Sequence, residues 1–128
     1  MKIGKLYNEL LTEEFQTVKP LPILYHTANP KFRKAINQQG LIPKQESWGK
    51  AIGSDMNAEL GDKLAIFVSN DGKYYDSTYD DDVWAIDTSK VNNIWYKDEH
   101  YIGGAYTFEP ISRNALKLIY KGTGNSTL

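Results

Sequence analysis

A chain of 128 residues with 15 Lys+Arg, 16 Asp+Glu and a net charge of −1 has the size of one domain with one hydrophobic core. Its balanced charge gives no global drive toward nucleic acid and no acidic solvated tail. It has no cysteine, which excludes disulfides, Cys-ligated zinc and thiol nucleophiles, and only two histidines, His26 and His100. No metal is therefore expected, although an all-oxygen ion site stays open. Nothing resembles a leader or a membrane span, so a soluble, cytoplasmic protein with no membrane contact is the expectation.

Met1 to Val18 reads as an amphipathic helix, because Ile3, Leu6, Tyr7, Leu10, Leu11 and Phe15 fall on one stripe. Lys19-Pro20-Leu21-Pro22 cannot continue it. The stripe either packs on the chain's own domain or docks in a partner's groove. Residues 1–19 are thus a helix and linker, 20–121 the main domain, and 122–128, rich in Gly, Ser and Thr, a flexible tail.

Ile23 to His26 is the first core strand, running three apolar residues straight into an imidazole. Asn29-Pro30 turns the chain. Lys31 to Gln39 then forms a short helix with Phe32, Ala35 and Ile36 on one face, stopped by Gly40. A histidine at the exit of a buried strand is either a satisfied, partly buried polar group or the wall of a pocket.

Gln45 to Asp62 carries Trp48 and three glycines among few apolar residues, and a loop of that length is often functional. Leu64 to Ser69 is an apolar strand bounded by Asn70-Asp71-Gly72. Lys73 to Asp82 could be a short helix on which Tyr75 and Tyr79 share a face at i,i+4 spacing. Asp80-Asp81-Asp82 is most simply a solvated turn. Val83 to Asp87, Ile94 to Tyr96, Ala105 to Phe108 and Leu116 to Tyr120 complete the strands. Without βαβ regularity, the sum is an α+β fold with a mainly antiparallel sheet and short flanking helices.

The order of these segments resembles the ADP-ribosyltransferase superfamily, including its RNA 2′-phosphotransferase branch. Leu24-Tyr25-His26-Thr27 stands where that family carries Tyr-His-Gly-Thr on its first strand. It is followed by a helix and by Gly40-Leu41-Ile42-Pro43. Ile66-Phe67-Val68-Ser69 fits the next strand, with its terminal Leu-Ser or Leu-Ala pair, and Val83-Trp84-Ala85-Ile86-Asp87 fits the Val-x-x-Ile-Asp strand. Tyr106 to Ser112 fits the late strand that leads through an acidic residue and Ile-Pro-Pro. The glycine after His26 is missing, Ser112-Arg113 replaces Pro-Pro, and Arg33 and Arg113 are the only arginines. The His-Tyr-Glu transferase type therefore fits these residues better than the arginine-dependent phosphotransferases.

The resemblance implies a split antiparallel sheet and NAD as substrate. It implies that Tyr25, His26 and Thr27 bind the dinucleotide, with His26 on the adenosine ribose. Tyr75 or Tyr79 would stack on nicotinamide, Ser69 would lie at the site, and Glu109 would stabilise the oxocarbenium-like centre and orient a protein or nucleic-acid acceptor. Beside this stands a structural reading, in which the tyrosines cover the sheet and Glu109 is an exposed turn residue. A chain of this fold that has lost catalysis and serves as a binding or structural module is the alternative. Residues 1–14 also resemble the starts of tailed-phage proteins, some of which are packaged in the head, which implies a phage-encoded, virion-associated protein.

Overall fold

The computed structural model describes residues 16–43, 64–71 and 79–127. Among them are seven strands: β1 (Thr17–Val18), β2 (Ile23–Ala28), β3 (Ile66–Ser69), β4 (Asp82–Asp87), β5 (Trp95–Lys97), β6 (Gly104–Thr107) and β7 (Leu116–Tyr120). One short helix, α1 (Arg33–Gln39), follows a 3-10 turn at Pro30–Phe32. The strands form one sheet in the order β1-β5-β6-β3-β2-β4-β7, with every neighbouring pair antiparallel. The expected mainly antiparallel sheet is present, and with one short helix among the described residues the architecture is compatible with an α+β or a mainly-β class.

Alternation sorts the side chains onto two faces. On one face Leu24, His26 and Ala28 stand opposite Ile86, Trp84 and Asp82. The pattern continues through Leu116 and Leu118 of β7 and, on the other side, through Ile66 and Val68 against Thr107 and Ala105. This face carries the core. Val68, Trp84, Ile86 and Ile111 are fully buried, and burying each such side chain contributes about 1.5–3 kcal/mol. The other face is aromatic: Tyr106 contacts Phe67 and Tyr96 at centroid distances of 5.6 Å, the latter stacked, and Phe108 edge-on at 5.5 Å, while Tyr96 and Phe108 lie 5.3 Å apart.

α1 lies on the core face through Ile36, with Ala35 and Phe32 beside it. Its lead-in is fixed by Asn29, whose side-chain oxygen accepts from the Lys31 amide at 3.0 Å. Its end is fixed by Gly40, at φ +78°, where a Cβ would run into the Ile111 carbonyl. Leu41 and Ile111 then exchange backbone hydrogen bonds of 3.0 and 2.9 Å, pinning the helix exit to the segment before β7.

Three local expectations change. Thr17–Val18, expected at the end of the N-terminal helix, is instead a strand registered against Tyr96 and Trp95; residues 1–15 lie outside the described residues. Asp80 to Asp82 is not a solvated turn. Asp82 begins β4 and is completely buried, because it shares parity with Trp84 and Ile86 on the core face. Residues 122–126, within the expected flexible tail 122–128, run hydrogen-bonded along residues 79–82. The Gln45 to Asp62 loop, Trp48 and Tyr75 also lie outside the described residues.

Candidate functional site

The site builds from the junction of β2 and β3. β2 pairs with β4 over six residues but with β3 at a single registered pair, Tyr25 and Ser69. Just beyond that pair, the His26 ring nitrogen Nδ1 lies 2.7 Å from the Phe67 carbonyl oxygen. A carbonyl can only accept, so Nδ1 carries the proton and donates. Burial pushes the imidazole pKa below its ordinary 6.5, and the Phe67 bond offsets this only in part. His26 is therefore neutral at physiological pH, with its proton on Nδ1 and a lone pair on Nε2.

His26 forms part of the wall of a partly open cavity of about 40 Å³ between α1 and the sheet. Phe32 of the 3-10 turn and Ala35 and Ile36 of α1 line it together with Ala28, Ile66 and Leu41, as do Gln39 and Gly40. The lining is mostly apolar, with His26 and Gln39 as its polar side chains. This is the composition of a small-molecule subsite with few orienting polar groups. Its volume has room for ordered water or for part of a small ligand.

The other expected site residues are distributed as follows. Tyr25 and Thr27 flank His26 on β2 and point to the opposite face, registered against Ala85 and Val83. Ser69 is fully buried beside Tyr25 and Gly104. Tyr79 is half exposed and forms an antiparallel bridge with Ser126. Glu109 follows β6, two strands away from β2 in the sheet. Its Oε1 accepts from the Ile94 amide at 3.3 Å, and its backbone oxygen accepts from Asn93 Nδ2 at 3.0 Å. Of these residues only His26 lines the cavity; Tyr25, Thr27 and Ser69 share the other face of the sheet at the same junction, and the Glu109 carboxylate is turned toward the start of β5.

Three features escaped the sequence reading. The Phe67 carbonyl that sets the His26 tautomer is a backbone group and leaves no trace in residue type. Asn93 donates to Thr107 Oγ1 at 3.1 Å as well as to the Glu109 and Pro110 carbonyls, and so locks the turn after β6. Asp82 is held by Arg33, with Nε to Oδ2 at 2.8 Å and Nη2 to Oδ1 at 2.6 Å. Its i,i+2 parity with Trp84 and Ile86 was the signal that could have found it.

Among the described residues no group of three or more His, Asp or Glu side chains is arranged to hold a metal ion, and no helix is long and apolar enough to cross a membrane. No protein-family model, curated protein or solved structure matches this chain.

Proposed function

We propose that the chain is an ADP-ribosyltransferase-like protein that binds NAD at the β2–β3 junction and transfers ADP-ribose to a protein or nucleic acid. The observation that carries this reading is the neutral His26, whose Nδ1–H is committed to Phe67 and whose Nε2 lone pair is left as an acceptor beside a cavity. Such a nitrogen suits a ribose hydroxyl donor. The near-break of the sheet at Tyr25 and Ser69 supports a split-sheet arrangement, with Tyr25 and Thr27 on the face opposite the cavity. In the reaction the bond from ribose C1′ to nicotinamide breaks, and nicotinamide leaves with the bonding pair. The acceptor nucleophile then attacks C1′ and loses its proton. A carboxylate steadies the positive charge that develops at C1′, and Glu109 is assigned that role.

A second reading has its own observation. The Glu109 carboxylate is already engaged by the Ile94 amide, on the β5 side of β6, which favours a binding or structural module without turnover, including one carried in a virion. The experiment is a calorimetric titration of the full chain with NAD, repeated with His26→Ala and followed by a nicotinamide-release assay. Transferase function predicts binding that weakens at least tenfold in His26→Ala, together with release that Glu109→Gln abolishes. Binding without release supports the module. No binding at millimolar NAD removes the NAD reading.

A further inference from the structure

The C-terminal segment and the helix beside the cavity are joined by one network. Arg33, the first residue of α1, donates Nη2 both to Asp82 Oδ1 and, at 3.1 Å, to the Gly122 carbonyl. Asp82 Oδ1 also accepts from the Gly122 amide at 2.8 Å. One turn away, Asp80 accepts from Tyr120 Oη at 2.7 Å and from the Thr123 amide at 3.0 Å. Its own amide donates to Asn125 O at 2.9 Å, and its carbonyl accepts from Gly124 N at 2.8 Å. The strap therefore lies along residues 79–82 and reaches the Asn29-Pro30 turn, where a Cβ on Gly124 would come within 3.6 Å of Pro30 Cδ.

α1 itself has only seven residues, too short to hold its shape without tertiary contacts. Its C-terminal end is fixed by Gly40 and the Leu41–Ile111 bridge. Its N-terminal end is fixed by Arg33. Phe32, Ala35 and Ile36, which wall the cavity, lie between or beside these two tethers. The cavity is partly open, and outward movement of this wall would admit more of a ligand to His26.

We propose that α1 is the movable wall of the His26 cavity and that residues 121–126 are its latch, acting through Asp82 and Arg33. With the strap seated, Gly122 and Asp82 together hold Arg33, and the helix closes on the sheet. With the strap lifted, Arg33 loses the Gly122 carbonyl and Asp82 loses the Gly122 amide, so the N-terminal end of α1 is held to β4 by the Arg33–Asp82 pair alone and swings more readily from the Leu41 hinge. Access to His26 is thereby placed under the control of whatever displaces the C-terminal segment. The proposal rests on the reading of the His26 cavity as the ligand site, but its test needs no nucleotide.

Gly122→Ala lifts the strap in the full chain, because a Cβ there would collide with the Asp80 carbonyl. The readout is acylation of the free imidazole nitrogen by diethyl pyrocarbonate at constant pH, followed by peptide mass spectrometry, with exposed His100 as the internal reference. The expected result is slow His26 modification in the parent chain and a rate at least ~10-fold higher in Gly122→Ala, the consequence of losing about one charge-assisted hydrogen bond, with His100 unchanged. Hydrogen exchange should rise in residues 33–39 and 121–126 while β2, β4 and β6 stay protected. If Gly122→Ala fails to fold, Thr123→Pro, which deletes one exposed amide donor to Asp80, decides the matter by the same assay. A strap shown by exchange to be detached, with His26 still unreactive and residues 33–39 still protected, overturns the latch.

Discussion

Trp84 offers a substitution in which two effects of similar size oppose each other. The indole is completely buried in the centre of the core face, and its Nε1 has no hydrogen-bond partner among the described residues. A buried unsatisfied donor costs ~1–3 kcal/mol. Trp84→Phe removes that donor and keeps an aromatic ring. It also leaves a void, at ~24 cal/mol per Å³ of residual cavity, and loses transfer energy, together ~1–2 kcal/mol. The Arg113 guanidinium, 5.7 Å from the Trp84 ring, would face a phenyl ring instead of an indole, a loss of under ~1 kcal/mol at a partly exposed site. The terms nearly cancel, so Trp84→Phe should change stability by less than ~1 kcal/mol. Ile86→Ala, which deletes fully buried methyl groups with no such relief, should cost ~2–5 kcal/mol. Urea unfolding followed by circular dichroism, with both variants sharing the parent m-value, measures the two. A loss above ~2 kcal/mol in Trp84→Phe would show that Nε1 has a partner, such as a buried water, and would refute the reasoning.

Further predictions concern backbone, pH and the N-terminus. Gly40→Ala should cost ~2 kcal/mol or more, since a side chain is forced into a left-handed conformation against the Ile111 carbonyl; chemical denaturation checks it. The His26 pKa is lowered in the native state from 6.5. Stability should therefore be flat with respect to His26 above pH 6.5 and fall as the pH drops below it, where the unfolded chain takes up a proton that the native ring refuses; His26→Gln should flatten that limb of the profile. Asp80 and Asp87 are lowered from 3.8, Asp80 chiefly by the Tyr120 hydroxyl and Asp87 chiefly by Ser89. Their contribution is present above pH 3.8 and lost as the pH falls through their native values. Tyr120→Phe should reduce this acid-labile part, as read by denaturation midpoints between pH 5 and 3. Residues 1–20 fused to a reporter should recruit it to a partner or particle if the N-terminal stripe docks, and failure to recruit removes that reading.

Much of the sheet was legible because strands carry period-2 patterns that survive without context. Ile66 to Ser69, Val83 to Asp87 and Leu116 to Tyr120 fall within a residue or two of their expected bounds. Lys31 to Gln39 with its Gly40 stop was legible from apolar spacing and turn chemistry. Thr17–Val18 was not, because two residues carry no period and become a strand only through the distant Trp95 and Tyr96. The aspartates misled for a related reason. Composition marks Asp80-Asp81-Asp82 as solvated, whereas parity and the Arg33 partner, 49 positions away, bury Asp82. His26 was expected at a strand exit, but β2 runs on to Ala28 and places it within the strand, on the wall of the cavity. Its tautomer depends on a backbone carbonyl of a strand 41 positions away, which residue types cannot encode.

The most direct test of the central claim is nitrogen-15 NMR of the His26 imidazole in the full chain, titrated with pH and then with NAD. The account predicts a proton on Nδ1 with a bare Nε2, a pKa below 6.5, and a shift confined to Nε2 when NAD is added. A ring protonated on Nε2, or one that titrates at its ordinary value and does not respond to NAD, would contradict it.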